Sequence, residues 1–222
     1  MPLHELIKPF YVKLGDDYRS KVVVGQICVT AVLYNYENRE VWRPLALDNS
    51  GTSAMAFKNE AQPGDAYKSG LLLHTPKLEA YEEFPVVRAK RRPVIVLMPQ
   101  QSEIDLKEHR GMMKVNKKLV MVAPCYSVVN ELDECKTDKT FLERVSNLEF
   151  PHFMLLPRDV CVPKDSLLRL DSIHHCLHPH LEPKQYALAP EIVQILQGQL
   201  DRVFSTGNGD AYVVARDILL GK

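Results

Sequence analysis

The apolar positions of this chain fall mostly into short runs with strand character. Only late in the sequence do they form a helical stripe. KVVVGQICVTAVLY (21–34) is rich in β-branched residues and predicts a strand or a pair of strands. REVWRPLALD (39–48) predicts another, whereas NSGTSAMAFKNEAQPGDAYKSG (49–70) has the Gly, Ser, Asn and Pro content of a loop or boundary. LLLHT (71–75) is a short apolar run. RRPVIVLMP (91–99) is the clearest buried strand, with Pro93 suited to its first residues or to an edge. KKLVMVAPCYSVV (117–129) predicts a second buried strand, broken by Pro124, and FPHFMLLP (150–157) and SLLRLDSIHHCL (166–177) predict two more. Along 166–177 the period of two puts Leu167, Arg169, Asp171 and Ile173 on one face, and Leu168, Leu170, Ser172 and His174 on the other.

Helical patterns are fewer. SEIDLKEHRGM (102–112) predicts a short helix with Gly111 near its end. TDKTFLERVSN (137–147) predicts a helix capped by Thr137. PEIVQILQGQLDRVF (190–204) is the strongest: Pro190 suits the first helical position, and Ile192, Val193, Ile195, Leu196, Leu200, Val203 and Phe204 form a stripe at helical spacing. DAYVVARDILLGK predicts a last short helix after Gly207-Asn208-Gly209. Residues 1–20 show no clear period. The pattern predicts a mainly β fold with α decorations, a small barrel or sandwich.

Composition narrows the class. The chain has 222 residues, 45% of them hydrophobic, enough for one core or for a core plus an appended segment. Lys+Arg and Asp+Glu balance at 28 each, which leaves no global basic field and room only for a local patch. No apolar run approaches the roughly 18 residues of a membrane span, so no membrane partner is expected. The first residues lack the order of a secretory signal, which makes the cytoplasm the expected location. The 5 cysteines are widely spaced, without a CxxC pair. They read as reduced thiols and small buried hydrophobes, not as a disulfide scaffold or a zinc ribbon.

Candidate chemistry concentrates in LLRLDSIHHCLHPHLEP (167–183). His174, His175, Cys176, His178 and His180 resemble a metal nest at first sight. A zinc site needs three or four converging ligands, yet adjacent strand residues point to opposite faces and Pro179 and Pro183 spread the remainder. No metal site and no cofactor is therefore assigned. Arg169 and Asp171, two apart on one strand face and about 7 Å from each other, pair a carboxylate base with a guanidinium phosphate clamp. The same pair also reads as a structural ion pair at a barrel rim. Arg88, Lys90, Arg91 and Arg92 form a basic run that abuts a buried strand, either a solvated face or a local phosphate-binding patch. Ser127, after Pro124, offers a hydroxyl for a phosphate or for Arg92, or is an ordinary turn serine. Tyr126 offers a ring for stacking on a base. His174 is an auxiliary proton shuttle if a bulge turns it toward Asp171.

Three of these segments, in this order, resemble the MazF/PemK (Kid-like) toxin family. They are an Arg-Pro leading into a buried strand (Arg92-Pro93-Val94-Ile95-Val96-Leu97), a strand ending in a Pro-x-[Ser/Thr]-[Ser/Thr] turn (Pro124-Cys125-Tyr126-Ser127), and a strand ending in Asp171 before Leu188-Ala189-Pro190-Glu191. The likeness covers roughly residues 64–204. Tyr126 departs from the Ser or Thr of the pattern. The family's opening Gly-Asp/Glu-Ile turn has two candidates, Gly25 and Gly64-Asp65. A second Arg-Pro, in Trp42-Arg43-Pro44-Leu45, has no suitably spaced Pro-x-Tyr-Ser after it.

The resemblance implies an SH3-like small β-barrel of the MazF/PemK/CcdB kind with a C-terminal helix. It implies an N-terminal extension over 1–62, expected as strands packed on the barrel, ahead of a barrel domain over 63–222. It further implies a homodimer, a neutralising antitoxin protein, and metal-independent cleavage of single-stranded RNA that leaves a cyclic phosphate and a 5′-OH. The catalytic set is then Arg92, Ser127, Arg169 and Asp171, with His174 auxiliary and Arg88, Lys90, Arg91 and Tyr126 binding RNA. The other outcome is a barrel that kept the fold, lost the chemistry, and binds RNA or a protein partner.

Overall fold

The structure is a computed structural model that describes residues 2–33, 40–47, 53–58, 84–86, 88–99, 119–132 and 134–222, with backbone alone for 40–47, 53–58 and 84–86. The expected boundary between residues 62 and 63, the Gly64-Asp65 turn, the apolar run 71–75 and the helix over 102–112 lie outside these residues. In chain order the strands are β1 (Tyr11–Lys13), β2 (Gln26–Leu33), β3 (Glu40–Leu47), β4 (Ser53–Lys58), β5 (Phe84–Val86), β6 (Ala89–Met98), β7 (Leu119–Ser127), β8 (Phe153–Leu156), β9 (Ser166–Arg169), β10 (His174–Leu177) and β11 (Glu182–Leu188). The helices are α1 (Leu3–Leu6), α2 (Lys139–Ser146), α3 (Pro190–Phe204) and α4 (Asp210–Leu219).

Two compact units result, one of residues 1–31 and 91–222, the other of residues 32–90. In the smaller unit β3 pairs antiparallel with β4 on one side and β5 on the other. The Arg43-Pro44 step sits beside a bulge in that ladder. β4 lies inside the segment whose composition predicted a loop. Its alternating positions include two alanines, which leave little period-two contrast to read.

The larger unit is a mainly antiparallel sheet with a few helices. Its strand order is β1-β11-β2-β6-β7-β9-β8, and β10 also pairs with β7. Among the described residues this path is open, ending at β1 and β8, so the sheet does not close into a barrel. Val94, Ile95, Val96 and Leu97 of β6 and Val120, Val122, Ala123 and Cys125 of β7 are all buried, as continuous apolar runs in central strands require. Gly25, at φ +80°, turns the chain into β2, and a Cβ there would lie 2.6 Å from the Val193 side chain. That turn donates from Gly25 N to Val96 O at 2.8 Å, which brings the start of β2 alongside β6.

β1 and β11 carry too little periodicity to be read from sequence. β1 is held by pairing with β11, and β11 in turn pairs with β2. Gln26 fixes this corner: its buried amide donates to Tyr18 O and Lys184 O at 3.0 Å each and accepts from Val23 N.

α2 is capped by Asp138, whose carboxylate accepts from Phe141 N at 2.7 Å, one residue later than the expected Thr137. A carboxylate is a strong acceptor at a helix N-terminus, and the dipole favours its charge there. α3 spans the residues its stripe predicts, burying Ile192, Ile195 and Leu196, and Gln199 donates to Phe153 O of β8 at 2.8 Å. α4 packs on α3, and Tyr212 OH donates to Leu148 O at 2.6 Å. Burial pushes the Cys28 thiol up to about 12 and the Cys176 thiol up to about 11, while Cys135 is exposed. No described helix is long and apolar enough to cross a membrane.

Candidate functional site

The site is built on β7 and the two strands that flank it. β6 runs along one side, with Val94 opposite Pro124. Continued by two residues within both strands, that register sets Arg92 across from Tyr126. On the other side β9 pairs Leu168, Leu167 and Ser166 with Cys125, Tyr126 and Ser127. Arg169 is two residues beyond Leu167 and shares its face by the period of two. Tyr126 thus has an arginine on each neighbouring strand. Arg92 Cζ lies 4.4 Å from the centre of its ring and Arg169 Cζ 5.5 Å.

The expected straight strand over 166–177 is interrupted. β9 pairs with the C-terminal part of β7 and β10 with the N-terminal part, beginning at His174 opposite Val122. Between these ladders, Ala123 and Pro124 of β7 face the five residues Arg169 to Ile173, so three residues are in excess. The surplus is taken up as a 3-10 turn over Leu170–Ser172. Pro124 has no N–H for a partner strand, which weakens the ladder at that point. The Leu170 N–H instead donates to His152 O at 2.8 Å, and the Leu170 side chain is buried.

This turn changes how Arg169 and Asp171 meet. They were expected as alternate residues of one strand, side by side on its face. Instead the turn folds Asp171 back onto the end of β9, and the pair is bidentate: Arg169 Nε donates to Asp171 Oδ1 at 2.9 Å and Nη2 to Oδ2 at 2.5 Å. The two side chains remain 28% and 32% exposed, within reach of a ligand. Partial burial pushes the Asp171 carboxyl up, but the hydrogen bonds and charge of Arg169 outweigh this and hold it below the usual carboxylate range.

His174 opens β10. Its Nδ1 is 3.4 Å from Ser172 O, and its buried Nε2 has no hydrogen-bond partner among the described residues. Burial lowers its pKa below the ordinary histidine value; the Ser172 carbonyl opposes this and His175 adds to it. Among the described residues no hydrogen bond joins His174 to Asp171. No group of three or more His, Cys, Asp or Glu side chains among them is placed to hold a metal ion. His178 and His180 lie in a separate 3-10 turn.

The remaining predicted residues divide. Ser127 Oγ donates to Val129 O at 2.7 Å and accepts from Val129 N at 3.3 Å, a local turn at the end of β7. Arg91 pairs with Glu182, which also holds Lys184. Arg88 and Lys90 are exposed and belong to the smaller unit. Sequence reading did not anticipate that the Tyr126 ring meets two arginines. The Arg-Pro and Pro-x-Tyr segments carry the signal for it only once the strand register is known. No family model matches the chain, and neither a curated protein nor a solved structure matches it.

Proposed function

We propose that this chain is a toxin-like endoribonuclease of the MazF/PemK kind that cleaves single-stranded RNA without a metal ion. The observation that carries this reading is the meeting of Arg92 on β6, Tyr126 on β7 and Arg169 on β9 with Asp171 of the turn that follows β9, the Arg169–Asp171 pair being partly exposed. In the reaction, Asp171 takes the proton of a 2′-OH, the 2′-oxygen attacks the adjacent phosphorus, and the bond from phosphorus to the 5′-oxygen breaks. The leaving 5′-oxygen takes a proton from water and Asp171 returns its own to solvent, so a 2′,3′-cyclic phosphate and a 5′-OH result. Arg92 and Arg169 neutralise the charge that builds on the phosphoryl oxygens. Asp171 is ionised at neutral pH, as a base must be, but Arg169 weakens its hold on a proton. Phosphate binding draws Arg169 partly away and restores that basicity.

The proposal includes an SH3-like arrangement of the sheet, a homodimer, cytoplasmic action and a neutralising antitoxin. A second reading, a protein of this kind that binds RNA or a partner without cutting, is favoured by Ser127 and Asp171 each being engaged within the fold. One assay separates them: the full chain is incubated with a long single-stranded RNA in EDTA, and the cut ends are mapped. Cyclic-phosphate ends that fall by about 100-fold or more in Asp171→Ala and Arg169→Ala support cleavage by this site. Binding without cleavage in any buffer supports the second reading, and cleavage that requires added zinc overturns the metal-free mechanism.

A further inference from the structure

We propose that Tyr126 is a positioning residue, whose ring face holds Arg92 and Arg169 together as a ready-made cradle for a single-stranded nucleic-acid phosphate. The inference deepens the RNA-cleavage reading and rests on it for the ligand. It gives the tyrosine a different task from stacking on a base, because the ring already faces two guanidiniums at 4.4 and 5.5 Å.

Two guanidiniums over one ring lie within about 10 Å of each other, close enough in a partly buried setting for their charges to repel. Each side chain also has many rotamers to lose when it grips a phosphate. An aromatic face answers both problems. Its quadrupole attracts each cation and its rigid plane restricts both side chains before ligand arrives. The placement suits that task. Tyr126 is on the middle of three adjacent strands, and its arginines come from the two outer ones, β6 and β9. Asp171 steadies the Arg169 guanidinium from its Nε and Nη2 edge, so ring and carboxylate together set that side chain's direction. Ser or Thr at this position, as in the pattern the segment resembles, has no face to offer.

The test compares the full-length wild type with Tyr126→Phe, which keeps the face, and Tyr126→Leu, which keeps apolar bulk without it. Affinity for a fluorescent single-stranded 2′-deoxyoligonucleotide, which lacks the attacking hydroxyl, is measured across salt concentrations. Tyr126→Leu is expected to bind about tenfold more weakly, with a salt slope shallower by about 0.7, the loss of one phosphate contact on a single strand. Tyr126→Phe restores both affinity and slope. Weaker binding with an unchanged slope is the signature of base stacking and overturns the proposal, as does a Phe variant as weak as Leu. In the free protein, the arginine Nε–H resonances of Arg92 and Arg169 should carry ring-current shifts that Tyr126→Leu removes. Resonances that do not move also overturn it. If the wild type fails to bind the oligonucleotide, the RNA reading fails, and these free-protein shifts still decide whether Tyr126 positions the arginines.

Discussion

Two close approaches shape the larger unit, and they are made by different means. Where α4 meets α3, backbone presses on backbone: a Cβ on Gly198 would lie 2.9 Å from Tyr212 N, and one on Gly209 would lie 2.5 Å from Gly198 O. Where β9 leaves β7, the contacts are between side chains: the Arg169–Asp171 ion pair, about one-third exposed, and the two arginines at the Tyr126 ring. Nothing at the first corner can move without moving a helix. At the second, the proposed chemistry needs only side chains to adjust, with a phosphate sharing Arg169 with its carboxylate. On the proposed function, the first corner sets stability and the second serves the ligand.

The largest effect expected is therefore at the helical corner. Gly209 has φ +67°, a conformation that side-chain-bearing residues adopt at a cost, and it also lacks room for a Cβ. Gly209→Ala should cost about 2–5 kcal/mol from strain and overpacking together, read as a fall in the urea midpoint. Gly198→Ala should cost less, about 1–2 kcal/mol. Overpacking against the Tyr212 backbone is partly offset by roughly 1 kcal/mol of helix propensity. A Gly198→Ala protein more stable than wild type would show that the helices are not in hard contact, and the contrast between the corners would collapse.

The same contrast explains what was legible in the sequence. The span of α3 could be read, because Ile192, Ile195 and Leu196 repeat at helical spacing and Pro190 marks the start, although Phe204, the last residue of the expected stripe, is exposed. β6 and β7 could be read from their apolar runs, which are largely buried, although β7 continues through Pro124, where a break was expected. The period of two also held from Ser166 to Leu170, where buried and half-buried positions alternate. It failed at Asp171, because the three surplus residues are visible only when the β9 and β10 registers on β7 are compared. Pairing register is a long-range property, and no local pattern encodes it. Arg169 and Asp171 were identified as a pair for a reason that proved incomplete: their spacing suggested neighbours on a strand, whereas a turn closes them into a bidentate contact. Tyr126 was identified by residue type alone, and its arginine contacts followed from the fold.

An intermediate effect is expected from His174, which lies between the two regimes as a half-buried group at the start of β10. Its folded pKa is lowered by burial from 6.5, so the unfolded chain binds its proton first as pH falls. The stabilisation is complete above pH 6.5, declines below it, and is lost as pH passes through the lowered folded value. His174→Gln should flatten the dependence of the urea midpoint on pH below 6.5, relative to wild type. An unchanged slope would mean that other groups carry the acid sensitivity, and that His174 belongs with the exposed site and not with the core.

The smallest effect on stability should come from the pair that matters most to the proposed chemistry. Asp171 and Arg169 are both partly exposed, and an ion pair so placed is screened by solvent. Asp171→Asn should cost no more than about 1 kcal/mol at neutral pH. The folded pKa of Asp171 lies below its ordinary 3.8, so its contribution is present above that value and disappears only as pH falls through the lowered one. Between pH 5 and 8 the wild type and Asp171→Asn should therefore unfold with midpoints offset by a constant small amount, while RNA cleavage is lost throughout that range. Cleavage by the wild type should show no acid limb attributable to Asp171 above pH 5. A limb near pH 6 would transfer the role of base to a histidine. A stability loss in Asp171→Asn as large as that of Gly198→Ala would make the ion pair part of the scaffold, because a group free to release its partner for a phosphate cannot also be holding the fold together.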